Sequence, residues 1–274
     1  MQTEEEFLSQ YNINVYDRPS VTADVVAFGI RAGQEDTYRH NPKNSLSVLL
    51  IKRGEHPYID CWALPGGFVR ADETVEQCAH REIQEETGVA PAALMLFGEF
   101  SEPKRDPRGR IISNAFLSVI SEDDVRISEG TDASETQWFN VEFNRCEDNE
   151  YKLTLVNGNT CLKAVLKKKI SHFGKVEFEI VDNGGLAFDH AGIIATAFTT
   201  LQKNAENFEF LFDFMPEKFT LTSIQKVQET ILQTVILPAN FRRKIADYVV
   251  ETEEYLTGAG HRPAKLFKKK ERMD

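Results

Sequence analysis

Two short runs near the N-terminus, VTADVVAFGIR at 21–31 and SLSVLLIKR at 45–53, are rich in β-branched and other apolar residues. Both predict strands. AGQEDTYRHNPKN between them is polar, contains Gly and Pro, and predicts a turn. LPGGFV at 64–69 is a glycine-bearing bend that leads into a helix expected from about Thr74 to Thr87. MLFGEFS follows, then a turn at Pro107–Gly109, then IISNAFLSVI, which reads as a strand, and TQWFNV at 136–141 closes the group. YKLTLVNGNTCLKAVLKKKI places Asn157-Gly158 between two strand-like runs, a hairpin signal because both residues accept a positive φ. VEFEIVDNGGLAF predicts a second hairpin turning near Asn183-Gly184, and Asp189 is placed to cap a helix through HAGIIATAFTTLQKN. A domain boundary is expected at Asn204–Asn207. Beyond it, TLTSIQKVQETILQ carries Leu221, Ile224, Val227 and Ile231 at helical spacing, and FRRKIADYVVE sets Phe241, Ile245, Tyr248 and Val249 on one side. With GAGHRPAKLFKKK as a basic strand-like end, the outline is a winged helix.

The helix over 74–87 has an unusual polar pattern. At about 100° per residue, Val75, Cys78 and Ala79 share a face, and Glu82 and Glu86 continue that stripe with Glu85 at its edge. Gln77, His80 and Gln84 take the opposite side. Glutamates on the extension of a buried face are costly unless a cation meets them, and at i, i+3 and i+4 they repel one another. A hard divalent cation relieves both penalties. Gly66 and Gly67 permit close backbone approach, Gly88 suits a left-handed helix end, and Arg81 is within reach of Glu73.

Charge divides the chain. The net charge is −11, yet residues 219–274 hold ten Lys or Arg against seven Asp or Glu. An acidic body with a basic tail suggests two tasks. No apolar run nears the ~18 residues of a membrane span. The acidic start MQTEEEFLSQ lacks an apolar core for a secretory signal, and four cysteines without a CxxC pair suit a cytoplasmic location. The histidines show no zinc spacing and no phosphate loop ending in GKS or GKT occurs. Trp62 and Trp138 read as packing residues.

Gly67, Glu73, Arg81, Glu82, Ile83, Glu85, Glu86, Gly88 and Val89 match the Nudix box GX5EX7REUXEEXGU at every specified position, where U is aliphatic. Residues 15–203 therefore resemble a Nudix hydrolase. The resemblance implies an α/β class fold, an α/β/α sandwich around a mixed sheet, over residues 1–203 with extra β-hairpins at about 150–187, followed by a winged-helix domain over 205–274. It implies hydrolysis of a nucleoside diphosphate linked to another group, with Glu82, Glu85 and Glu86 as ligands of Mg²⁺ or Mn²⁺ or as the general base, and Arg81 in the catalytic set. Asp132 and Glu135 are supplementary candidate bases.

Arg105, Arg108 and Arg110 form either a phosphate grip or a solvated turn. The segments SEPKRDPRGRIIS, LAFDHAGII and NFRRKI with GHRPAKLF resemble ADP-ribose pyrophosphatase-like Nudix proteins and the Nudix-related transcriptional regulators of NAD metabolism. This resemblance adds Gly66, Gly67 and the three arginines as substrate contacts, with ADP-ribose or a related NAD metabolite as the expected substrate. It also implies a homodimer and a double-stranded DNA partner. Arg242, Arg243 and Lys244 are expected at the start of a recognition helix, and Arg262, Lys265 and Lys268–Lys270 in or beside the wing. Two functions follow as expectations: a metal-dependent hydrolase, or a DNA-binding regulator of NAD or sugar metabolism whose Nudix domain senses ligand. A tail domain that only supports assembly is the third.

Overall fold

The computed structural model describes residues 2–31, 44–89, 91, 93–120, 133–256 and 263–271. The turn expected between the first two strands, Asp132 and Arg262 lie outside the described residues, apart from Asn44 at the end of that turn.

A mixed ten-stranded sheet forms the first part of the molecule. Its central strands are β1 (Ser20–Arg31) and β2 (Ser45–Arg53), with the short β3 (Trp62–Ala63) pairing β2 and β4 (Gly66–Phe68) pairing β1. The short helix α1 (Glu4–Gln10) precedes the sheet, and after β4 come helix α2 (Val75–Thr87), β5 (Met95–Phe100), β6 (Ile111–Val119) and β7 (Ala133–Arg145). β8 (Glu150–Asn157), β9 (Thr160–Ile170) and β10 (Val176–Asp182) extend the sheet outward, giving the order β10-β9-β8-β7-β2-β1-β6-β5. β1 and β6 run parallel, while β1 and β2, β2 and β7, and β8 and β9 are antiparallel.

Strand alternation assigns the two faces. Ala23, Val25 and Ala27 of β1 bury against Cys78, Ala79 and Ile83 of α2. Val26 and Phe28 turn to the other face and share a core with α3 (His190–Asn204). Two helices thus sandwich the sheet, and α3 is buried along most of its length, from His190 to Leu201.

The remaining chain forms α4 (Phe208–Phe212), α5 (Leu221–Leu232), α6 (Pro238–Ile245) and the antiparallel pair β11 (Val249–Leu256) and β12 (Ala264–Lys269). Ile224 and Ile231 of α5 and Phe241 and Ile245 of α6 pack together, and an isolated bridge from Phe219 to Phe267 ties the hairpin to the helices. This is a winged helix. No described helix is long and apolar enough to cross a membrane.

Three local expectations need correction. The second hairpin does not form at Asn183-Gly184: β10 pairs with β9 across His172–Gly174, and after the turn Leu186 makes only a bridge to Trp62. Leu186 and Ala187 are drawn into the core instead, with the Ala187 N–H donating to the Trp62 carbonyl at 2.8 Å. Asp189 stands at the N-cap of α3 without capping it, since Arg105 claims its carboxylate. Finally, α6 begins at Pro238, whose fixed φ suits the first helical turn, so Arg242, Arg243 and Lys244 occupy the last turn. The chain is already extended by Val249.

Candidate functional site

Helix α2 starts with a capping box between Thr74 and Gln77 and ends on Gly88 at φ 74°. Between these ends its acidic residues are sorted by Arg81. The guanidinium donates twice to Glu73, at 2.9 and 2.6 Å, once to Glu82 at 2.6 Å and once to Glu85 at 3.2 Å, and reaches the Phe68 carbonyl at 3.2 Å. A bidentate charged pair is the strongest of these contacts. It holds Glu73 down at about 2, chiefly through the side-chain hydrogen bond from Arg81, and raises Arg81. The loop before α2 is thereby fastened to the helix.

Glu82 and Glu86 face inward, and Glu85 lies half in solvent, 3.7 Å from Arg70. Burial raises Glu82, against the opposing pull of Arg81. Glu86 is pushed up to about 8, first by burial and then by Glu82 and Asp24, while the Gly66 N–H bonds its Oε2 at 2.9 Å. At Gly66 the close approach demands glycine, since a Cβ there would run into the Ala23 carbonyl, while a Cβ on Gly67 would displace the Glu82 carboxylate.

These residues fit a hard divalent cation in part. The half-buried Glu86 carboxylate feels the charges of Glu82 and Asp24, which Arg53 only partly offsets, and its oxygens are the donor type that Mg²⁺ and Mn²⁺ prefer. Among the described residues, however, no three of His, Cys, Asp and Glu converge as a metal cluster. Glu82 and Glu86 are the pair that could hold such an ion. Glu85 shares the Arg81 Nη1 with Glu82 but lies on the exposed edge of the helix, 3.7 Å from Arg70. Glu135 also stands apart. Thr136 beside it donates to the Glu86 carbonyl at 3.2 Å, so alternation turns Glu135 to the opposite face, where Gln137 bonds it.

The three arginines separate. Arg105 is buried and bidentate to Asp189, at 2.8 and 2.6 Å, with Asp24 at 3.7 Å. It serves the framework, contrary to its expected place as a phosphate contact. Arg110 is exposed and donates to the Ser101 carbonyl at 2.5 Å. Arg108 is 40% exposed, bonds Asp106 at 3.1 and 2.8 Å, and lies over the rings of Phe68 and Phe188 at 5.0 and 5.4 Å. Burial opposes ionisation of Asp106, yet the Arg108 bonds leave its carboxyl below the usual range.

Sequence reasoning missed Arg53, Phe188, Asp24 and the role of His190. Arg53 lies over the Phe188 ring at 5.0 Å, and its charge is felt by Glu86. Burial and then the neighbouring Arg108 lower it. Phe188 holds a positive φ of 49°, which is unusual for an aromatic residue, and Tyr58 packs edge-on against it at 4.8 Å. Arg53 thus links Glu86 to the Phe188 ring, which Arg108 also covers. No local signal marks them, because β2 and the 183–189 turn meet only in the fold.

In the winged helix, Arg242, Arg243 and Lys244 are exposed, while Phe241 and Ile245 anchor the helix. Lys268 is exposed too. Two other lysines are engaged: Lys269 pairs with Glu209 at 2.7 Å, and Lys265 with Glu251 at 2.7 Å.

Comparison with known proteins agrees with this geometry. The NUDIX domain model matches residues 36–153, and the model for the NrtR DNA-binding winged helix domain matches residues 211–268. The ADPR responsive transcriptional repressor NtrR of Acinetobacter baylyi is 29% identical over 97% of this chain and 88% of its own length. The ADP-ribose pyrophosphatase of Methanocaldococcus jannaschii is 48% identical over 34% of this chain and 54% of that protein. The Shewanella oneidensis NrtR crystallised with a 27mer DNA superposes with a TM-score of 0.61 at 25% identity, over 91% of this chain and 93% of that one. Residues 36–153 thus carry a NUDIX domain, and residues 211–268 an NrtR-type winged-helix domain.

Proposed function

We propose that the Nudix domain binds ADP-ribose or a related nucleoside diphosphate and hydrolyses its diphosphate with Mg²⁺ or Mn²⁺. The observation that carries this reading is the half-buried Glu82–Glu86 pair beside Gly66 and Gly67 in a fully matched Nudix box, with Arg53 acting on Glu86 and Arg108 on the same Phe188 ring as Arg53. A bound divalent ion would neutralise the diphosphate and supply an activated water. The protein's own part is to orient the substrate. Arg108 is the exposed cation suited to a phosphate oxygen, Arg53 screens Glu86, and the rings of Phe68 and Phe188 offer stacking surfaces. The names of the Acinetobacter and Methanocaldococcus relatives support ADP-ribose as the ligand.

The winged helix supports a second role on the same chain, as a DNA-binding regulator whose affinity responds to that ligand. Three exposed basic residues on α6 and the match to the NrtR winged-helix model favour it. We propose double-stranded DNA and a second copy of the chain as partners.

A metal-supplemented screen over ADP-ribose, NAD, sugar nucleotides and dinucleoside polyphosphates, with product identification, tests the first role. The expected outcome is AMP and ribose 5-phosphate from ADP-ribose in preference to the others. Cleavage of none of them, with Mg²⁺ or Mn²⁺ present, would remove the hydrolase reading and leave the regulator. Gel shifts at low salt with duplexes selected from a random pool test the second role.

A further inference from the structure

The turn between β10 and α3 engages the Nudix site with three consecutive residues. Phe188 carries Arg53 and Arg108 on its ring. Asp189 grips Arg105. His190, buried as the first residue of α3, accepts the Leu64 N–H on Nδ1 at 2.9 Å. Two residues beyond Leu64, the Gly66 N–H donates to Glu86 at 2.9 Å. Gly66 is hemmed in by the Ala23 carbonyl and by Asp24, and Asp24 lies 3.8 Å from His190 Nε2. The segment from Leu64 to Gly66 is therefore fixed at one end on His190 and at the other on the Glu86 carboxylate.

The far end of α3 is fastened to the winged helix. Gln202 Nε2 donates to the Ile231 carbonyl of α5 at 3.3 Å, and Gln228 Nε2 of α5 donates to the Ala205 carbonyl at 2.8 Å. α5 in turn shares its apolar face with Phe241 and Ile245 of α6. Between these anchors α3 is an unbroken run of 15 residues, about 22 Å long, sheathed in core on Ala191, Ile193, Ile194, Ala197, Phe198 and Leu201. A close-packed helix of this kind moves as a unit, so a displacement at its first turn is felt at its last.

We propose that His190 is a positioning residue that couples the Glu86 end of the Nudix site, through the Leu64–Gly66 backbone and the strut α3, to the helices that present α6 to DNA. This rests on the reading that ligand at the Nudix site governs DNA binding. A ligand that engages Glu86 competes with or tightens the Gly66 contact, and the next fixed point on that backbone is His190. Burial holds the imidazole down at about 3, so its Nδ1 is an unprotonated acceptor across the working pH range.

The test uses the full chain and duplexes that it selects from a random-sequence pool. DNA affinity is measured with and without ADP-ribose, and ADP-ribose affinity is measured separately. The wild type is expected to show a ligand effect of roughly 5- to 150-fold. His190→Leu, which removes the acceptor, should bring that factor close to one while each separate affinity changes less. His190→Asn, whose carbonyl oxygen replaces Nδ1, should restore most of it. Retention of the full factor in a folded His190→Leu protein would overturn the proposal. Should that variant not fold, Gln202→Ala decides at the other anchor: a reduced factor supports the strut and an unchanged one ends it. A wild type that binds DNA without any response to ADP-ribose removes the regulatory reading and the strut together, whereas a response indifferent to both anchors removes the strut alone.

Discussion

Glu86 sets the energetics of the site. Its folded-state value near 8 lies above the ordinary glutamate value of 4.5, so the folded state binds more protons than the unfolded state between those limits. Stability contributed by this group is present below about 4.5 and is lost as pH rises through 8. The loss is on the order of a few kcal/mol without metal. Glu86→Gln should remove this dependence. Urea unfolding of the two metal-free proteins should show the variant gaining on the wild type as pH rises from 5 to 8, and a constant gap would refute the assignment. Gly67 offers a second residue-scale test. Gly67→Ala places a methyl group where the Glu82 carboxylate now sits. Metal-dependent turnover should fall at least about tenfold, as misplacement of reacting groups commonly costs more.

At the scale of elements, the bend before α2 and the helix itself depend on Arg81. Lysine cannot reproduce its simultaneous bonds to Glu73, Glu82 and Glu85. Arg81→Lys should therefore lower turnover with little change in far-ultraviolet circular dichroism. In α6, Arg242→Ala and Arg243→Ala should each weaken DNA binding across sequences and reduce the salt slope by about one. Lys269→Ala should do less, because Glu209 already partners that lysine. A salt titration of DNA affinity separates the cases.

These elements differ in how plainly the sequence announced them. α2, its caps and its inward Glu82 and Glu86 are written in a local pattern. So is the β8–β9 hairpin, although its turn falls one residue later than expected, on Gly158 and Asn159, with Asn157 paired to Thr160. The absent second hairpin and the early start of α6 were decided by the core taking Leu186 and by Pro238. The fate of Arg105 was decided by Asp189, 84 residues away. Phe188 and Arg53 carry no signal in their own neighbourhoods. Long-range charge pairing is invisible to periodicity, whereas helix faces and tight turns are not.

The whole molecule has a continuous apolar core. It runs from Val26 and Phe28 in the sheet through Phe198 and Leu201 of α3 to Ile224, Phe241 and Val249 of the winged helix. Shared packing of this extent couples the stability of the two parts. Calorimetry on the full chain should give a single unfolding transition, and two well-separated transitions would show that the parts are independent. The Nudix site lies at one end of α3 and the winged helix at the other.

The most direct test of the metal reading is Mn²⁺ binding followed by electron paramagnetic resonance, on wild type, Glu86→Gln and Glu85→Gln. If Glu82 and Glu86 hold the ion, wild type and Glu85→Gln take up one Mn²⁺ at similar concentrations, and Glu86→Gln needs at least tenfold more. Equal binding by Glu86→Gln, or loss confined to Glu85→Gln, would contradict that assignment.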